Sequence, residues 1–302
     1  MPVSGALLCL ASAVAFGALG IFGKLSYDEG ATVGTLLAVR FAIAAALFWV
    51  IVVATGRLRR LRAMARRDVL MGLGLGAAGY SAQAGAYFAA LDRLDASLLS
   101  LLLYTFPAMV AVAAIALGRD RARRRTAGAL VLSSTGLVLV LAGAGAGALD
   151  PLGTALGLTA AVVYSAYILV SATLAARADP LVLSALVCTG CTATLVVAGV
   201  LDGDLRPGAV SLTGYGWLVA IAVVSTVGAV SLYFAGLARV GPTAASILST
   251  AEPVTTVVLA FLAFGEALGP EQLAGGALVV GAVFVLAAPE RPVVAVAAEP
   301  VG

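Results

Sequence analysis

The sequence contains no histidine among its 302 residues. That removes the side chain whose charge changes most readily near neutral pH, and with it the usual proton shuttle and the commonest metal ligand. Charge is scarce as well: Asp, Glu, Lys and Arg make up 11% of the chain, where a soluble domain carries about a quarter. Lysine occurs once, at Lys24. No G-x-x-x-x-G-K-[ST] run is present to cradle a nucleotide's phosphates, which argues against ATP hydrolysis by this chain. Without histidine most acyl-transfer constellations are excluded, and neither a metal site nor a cofactor is expected. The net charge of +3 is not a nucleic-acid signal, because the arginines are gathered in short loops. The three cysteines, Cys9, Cys188 and Cys191, all fall in apolar runs. Cys188 and Cys191 have C-x-x-C spacing, but at lipid depth the expected role is small apolar packing rather than a redox pair.

What the chain has in excess is apolar sequence, 62% of its residues, with a mean hydropathy of +1.10. Apolar runs of membrane-spanning length recur with short polar breaks, the pattern of a polytopic helical membrane protein. The alternating ten-residue segments of a transmembrane barrel are absent. Ten spans are expected, at about 5–23, 31–54, 69–90, 96–117, 126–143, 152–175, 180–200, 213–237, 243–264 and 271–288.

One stretch occurs twice. Tyr87 to Pro107 reads YFAALDRLDASLLSLLLYTFP and Tyr233 to Pro253 reads YFAGLARVGPTAASILSTAEP, with eight of twenty-one positions identical at an offset of 146 residues. An offset of half the chain predicts an internal duplication: a first five-helix unit over 1–146, a second over 147–289, and a disordered tail over 290–302. Five spans is an odd number, so the second unit enters the bilayer upside down relative to the first. Inverted repeats of this kind are a transporter architecture with its site near the midplane.

Arginine sets the expected orientation. Arg57, Arg59, Arg60, Arg62, Arg66 and Arg67 follow the second span, and Arg119, Arg121, Arg123, Arg124 and Arg125 follow the fourth. Placing both loops inside puts both termini in the cytoplasm of a cell membrane.

Several residues resemble a known family, the EamA-like transporters of the drug/metabolite transporter superfamily. Phe16-Gly17 followed by Lys24 is similar to that family's aromatic-Gly…Lys pattern near its first span. Arg40-Phe41 in the second span, Pro107 and Pro253 in the fourth and ninth, and Gly265-Glu266 through Gln272 to Gly275 also match its pattern. The chain departs from it near Gly118, Arg119 and Asp120, where the first copy lacks the Gly-Glu pair, and at Phe16 and Tyr164, where the family often has Trp. The resemblance implies a central cavity built from spans 1, 3, 4, 6, 8 and 9. It also implies a secondary transporter of small metabolites working by alternating access.

The expected lining of that cavity is Phe16, Tyr80, Gln83, Tyr104, Tyr164, Tyr167, Ser249 and Glu252. Glu252 lies about 13 Å into its span, where an ionised carboxylate costs several kcal/mol unless it faces protein or water. Arg40 lies at a similar depth in span 2, so the two are a candidate charge pair, either clamping helices or coupling to substrate and protons. Pro107 and Pro253 are expected kinks, each freeing the carbonyl four residues earlier, Leu103 and Ser249. Tyr80, Gln83 and Tyr87 share one helical face, as do Tyr164 and Tyr167. Gln83 is either interhelical glue or a substrate contact, and Lys24 either snorkels or serves as a gate. The expected partners are therefore a small-molecule substrate, such as an amino acid or other amphipathic compound moved outward, and the lipid bilayer, with no nucleic acid. The competing readings are a membrane-embedded lipid-modifying enzyme and a non-transporting sensor. The first needs an interfacial acid or metal cluster, whereas the acidic residues here are scattered; the second usually brings a soluble domain.

Overall fold

The computed structural model describes residues 3–118, 124–143, 150–240, 245, 248, 249 and 251–287, and every regular element in them is helical. The predicted tail, the Arg119-Asp120 pair and most of the connection between the halves lie outside the described residues.

Span 1 is α1 (Val3–Gly17) continued by α2 (Leu19–Asp28), and span 2 is α3 (Val33–Ala54). The short α4 (Leu58–Ala63) leads into span 3, where α5 (Arg66–Gly74) and α6 (Ser81–Leu91) flank a π-helical turn, Leu75–Tyr80. Span 4 breaks between α7 (Ala96–Leu103) and α8 (Phe106–Ala116); span 5 is α9 (Arg124–Gly143). The second half follows with α10 (Pro151–Ala175) as span 6 and α11 (Pro180–Leu201) as span 7. Span 8 is α12 (Leu212–Ala222), a second π-turn (Val223–Gly228) and α13 (Ala229–Val240). Described parts of spans 9 and 10 are α14 (Ala251–Phe264) and α15 (Pro270–Ala287). Six runs, Ser4–Asp28, Val33–Ala54, Ala96–Ala116, Pro151–Ala175, Pro180–Leu201 and Leu212–Val240, are long and apolar enough to cross a membrane. Shorter apolar helices accompany them at Ala127–Val140, Ala251–Phe264 and Pro270–Val285. The protein is all-α and polytopic.

Local sequence explains where these helices begin. Asp150 and Asp179 each precede a proline at the first helical position, and their carboxylates accept from the N–H groups of Gly153 and of Leu181 and Val182. Thr32 and Ser211 cap α3 and α12 through Thr35 and Gly214. Leu7, Val14, Val50, Val53, Val131, Val138 and Leu262 are exposed around the bundle, as a lipid-facing surface requires.

Packing pairs the halves reciprocally. Span 1 lies against span 8 and span 6 against span 3, while spans 2 and 7, 4 and 9, and 5 and 10 pair with their own counterparts. A two-fold relation between the units produces this pattern. Ion pairs give its direction: Lys24 at the end of span 1 and Arg93 line one cavity, and Arg93 reaches Asp150 at the start of span 6 (3.8 Å). At the opposite end, Arg57 after span 2 meets Asp179 before span 7 (2.7 Å). The first span therefore ends where the sixth begins, and the second ends where the seventh begins, so the halves are inverted. Spans 5 and 10 meet through glycine: a Cβ on Gly136 would lie 2.6 Å from the Gly275 carbonyl oxygen, and one on Gly275 2.5 Å from that of Gly136.

Candidate functional site

Spans 4 and 9, each carrying a proline, meet through Tyr104. In span 4 the helix stops at Leu103 and restarts at Phe106, with Pro107 in the first turn of α8. Thr105 Oγ donates to the Leu102 carbonyl (2.7 Å), and the Tyr104 ring swings toward span 9. Its hydroxyl donates to the carbonyl oxygen of Ser249 at 2.8 Å, the oxygen that Pro253 deprives of its helical N–H. The same hydroxyl lies 3.0 Å from Glu252 Oε2. A freed carbonyl at membrane depth must find a donor, and here the donor comes from the opposite half.

Span 1 completes this contact. The missing side chain of Gly17 lets span 9 approach so closely that a Cβ there would lie 2.8 Å from the Glu252 carbonyl oxygen. The Gly17 carbonyl in turn accepts from Thr256 Oγ (3.0 Å). Half-buried Phe16 sits one residue before this crossing.

From Tyr104 a string of aromatic rings runs through the bundle. Phe106 lies 5.8 Å from Tyr104 and 4.8 Å from Tyr164; Tyr164 lies 6.3 Å from Tyr167, Tyr167 5.4 Å from Tyr80, and Tyr80 5.7 Å from Phe41. Spans 2, 3, 4 and 6 thus contribute to one aromatic wall. Gln83 stands on the Tyr80 face of span 3 and is 7% exposed. Among the described residues its amide has no hydrogen-bond partner, nor have the hydroxyls of Tyr80, Tyr87, Tyr164 and Tyr167. Tyr80, Tyr164 and Tyr167 are half-buried and none of these atoms is among the fully enclosed unbonded ones, so they keep some exposure, and together they outline the candidate hollow.

The expected Arg40–Glu252 pair does not form. Arg40 is 2% exposed, donates from Nε to Thr226 Oγ at 2.9 Å, and holds its guanidinium carbon 4.8 Å from the Phe41 ring and 5.3 Å from the Phe88 ring. Equal depth is only one coordinate: rotation of span 2 aims Arg40 at spans 3 and 8, whereas Glu252 faces Tyr104. Tyr80 and Tyr87 lie near both charges.

Two further features escape a sequence reading. The π-turns occupy equivalent third spans of the two halves, and each is closed by a hydroxyl reaching back five residues: Ser81 to Gly76 (2.8 Å) and Thr226 to Ile221 (3.0 Å). Such turns often mark functional positions in helices. Phe106, the link between Tyr104 and Tyr164, is also absent from the expected lining; as an apolar residue in an apolar span it carries no signal of its own.

At the Lys24 end, the Glu266 carboxylate accepts from Lys24 Nζ (2.8 Å), Ser97 Oγ (2.9 Å), Ser97 N (3.1 Å) and Ala96 N (3.2 Å). It thereby ties spans 1, 4 and 9 together beneath a cavity of about 440 Å³. Burial acts to raise this carboxyl, but the Lys24 ammonium and the Ser97 N–H outweigh it and hold it below the usual range. At the arginine end, Asp179 takes Arg57 and Arg60 while Arg177 pairs with Asp68 (2.7 Å). The three cysteines are unbridged and buried, and Cys191 Sγ packs 3.3 Å from the Gly76 carbonyl.

The family described as the EamA-like transporter family matches residues 3–142 and, a second time, 151–288. The chain belongs to that family. As an EamA-like protein it is a multi-pass membrane transporter of small molecules. No curated protein matches it significantly. One solved crystal structure, whose description names no function, is similar at 21% sequence identity with a TM-score of 0.65, covering 95% of this chain and 97% of its own. That likeness concerns the fold alone.

Proposed function

We propose that this EamA-like chain is a proton-coupled secondary transporter that moves a small amphipathic metabolite, with amino acids the first class to test, outward by alternating access. In this reading both termini are cytoplasmic in a cell membrane, as the arginine loops require. The hollow between the halves is the substrate site, lined by Phe16, Tyr80, Gln83, Tyr104, Tyr164, Tyr167, Ser249 and Glu252.

The observation that carries the proposal is the position of the Tyr104 hydroxyl between two acceptors, Ser249 O at 2.8 Å and Glu252 Oε2 at 3.0 Å. A phenol has one proton to donate. When Glu252 is ionised, its carboxylate competes for that proton and the Ser249 carbonyl loses its donor. When Glu252 is protonated, its own O–H donates to Tyr104 and the phenol proton goes back to Ser249. Each protonation state of Glu252 thus selects a different bond between spans 4 and 9, which come from opposite halves. Binding or release of a proton then biases how the halves sit against each other, the requirement for coupling.

The test uses proteoliposomes loaded with labelled amino acids, with and without an imposed pH gradient. Wild type is expected to accelerate release when protons run inward against it. Glu252→Gln keeps a permanent donor toward Tyr104 and is expected to transport without pH dependence. Wild-type rate and pH dependence in that variant would refute the coupling.

A further inference from the structure

We infer that Arg40 receives a carboxylate of the transported substrate, so that the hollow reads a molecule carrying an anionic and a cationic end. The inference rests on the hollow being the transport path.

The argument begins with cost. Arginine stays charged under all ordinary conditions, and a charge at membrane depth is expensive unless it is paired or hydrated. Arg40 is among the most completely buried side chains in the protein, yet no carboxylate lies within ion-pairing distance of it among the described residues. Its protein partners are one hydroxyl and two aromatic faces. These compensate only part of the desolvation of a cation.

Geometry then says which part is left. The Nε edge is occupied by Thr226, which lies in the π-turn of span 8 and whose own proton goes to the Ile221 carbonyl of α12. The Phe41 and Phe88 rings fix the position of the guanidinium carbon. Nη1 and Nη2 have no hydrogen-bond partner among the described residues. The fully enclosed polar side-chain atoms without a partner are Thr154 Oγ, Ser225 Oγ and Ser231 Oγ. The Nη atoms are not among them, so they retain a small exposure within the buried side chain. A positioned guanidinium with its two-nitrogen edge free is the shape that binds a carboxylate through two parallel hydrogen bonds.

Placement supplies the rest. Tyr80 and Tyr87 lie near both Arg40 and Glu252, and Gln83 falls between those tyrosines in the same helix with its amide unbonded. A substrate seated along this face has a fixed cation, an acid and an uncommitted amide within reach. An ammonium group would go to Glu252 and the tyrosine faces, and a carboxylate to Arg40. A simple amine of the same size leaves Arg40 unpaired and is discriminated against, since an unanswered buried charge is costly.

The rival explanation, a cation that merely clamps spans 2, 3 and 8, makes an opposite prediction for stability. Purified wild type, Arg40→Met and Arg40→Lys are compared by thermal unfolding in detergent, alone and with millimolar benzoate, benzamide or chloride. Benzoate is expected to raise the wild-type midpoint, whereas benzamide and chloride leave it in place. Arg40→Met, which removes an uncompensated charge and keeps the side-chain length, is expected to unfold no earlier than wild type and to lose the benzoate shift. Arg40→Lys keeps the charge without the fork and is expected to bind benzoate about tenfold more weakly; it carries the test if Arg40→Met fails to fold. No benzoate shift in wild type, an equal shift in Arg40→Met, or an equal shift with chloride would overturn the assignment. The benzoate arm is independent of proton coupling. If it is Arg40-dependent while Glu252→Gln retains wild-type pH dependence, the coupling fails and the carboxylate site stands.

Discussion

Replacing Glu266 by Gln should open the Lys24 end of the bundle. The carboxylate there accepts four hydrogen bonds from three residues, Lys24, Ser97 and Ala96, and its side chain is 7% exposed. An amide keeps one acceptor oxygen, so about half of those bonds go, together with the charge that Lys24 and the first N–H groups of α7 were answering. Hydrogen bonds to charged groups are worth about 1.5–3 kcal/mol each, and partial exposure of Lys24 reduces its share, so the net loss is about 2 kcal/mol. That shifts the balance between closed and open arrangements at this end by about thirtyfold.

The assay is thiol accessibility. The native cysteines are buried, so a cysteine introduced at Leu94, buried under the clamp, reports against a reference cysteine at exposed Gly208. Its labelling by a membrane-impermeant maleimide should accelerate about thirtyfold in Glu266→Gln. Acid adds an internal check. Because the folded carboxyl titrates below its ordinary value of 4.5, its contribution is complete above that value and is lost only as pH falls through the lower, folded one. Normalised labelling of the Glu266 protein should therefore be flat from neutrality to about pH 4.5 and rise below it. A change of less than about twofold in Glu266→Gln would refute the clamp, because removing even one such bond is worth more than that.

Two stability predictions follow from packing. Gly275→Ala places a methyl 2.5 Å from the Gly136 carbonyl oxygen, and overpacking of this kind costs about 1–3 kcal/mol; an unchanged thermal midpoint would show that spans 5 and 10 do not approach so closely. Asp179→Ala removes the cap of α11 and the partner of Arg57 and Arg60, a loss of about 3 kcal/mol at neutral pH. Burial raises the Asp179 carboxyl, but the Val182 N–H and Arg57 outweigh it and hold it below the ordinary 3.8. The difference between variant and wild type should thus persist at mildly acidic pH and shrink only as pH drops through that depressed value, read by unfolding midpoints across pH.

The architecture was legible because membrane helices announce themselves by length, and because an odd repeat leaves no choice about inversion. The freed carbonyl of Ser249 was legible for a similar reason: proline removes a named bond at a named position, and the structure answers it with Tyr104. What failed was azimuth. Arg40 and Glu252 face different neighbours, since position along a helix says nothing of which way a side chain turns. The π-turns themselves arise from where hydroxyls such as Ser81 and Thr226 find carbonyls five residues back, a tertiary outcome without a composition signal. Phe106 was invisible because an apolar ring in an apolar helix is ordinary.

In the proposed alternating-access cycle, the same reciprocity that relates the halves assigns a fixed support. Spans 5 and 10 meet backbone to backbone at Gly136 and Gly275, flanked by the Val140 and Val279 side chains. Close packing of this kind resists continuous deformation, so this pair is the natural fixed support. At the Lys24 end Glu266 joins spans 1, 4 and 9, while spans 2 and 7 are bonded at both ends, by Arg57 with Asp179 at one and by Thr32, Gly34 and Thr35 with Asp204 and Arg206 at the other. Between them the only bond that depends on a titratable group at mid-depth and joins the two halves is that of Tyr104 with Ser249 and Glu252, among the described residues. In the proposed proton-coupled cycle, a proton arriving there would change a contact that joins the two halves.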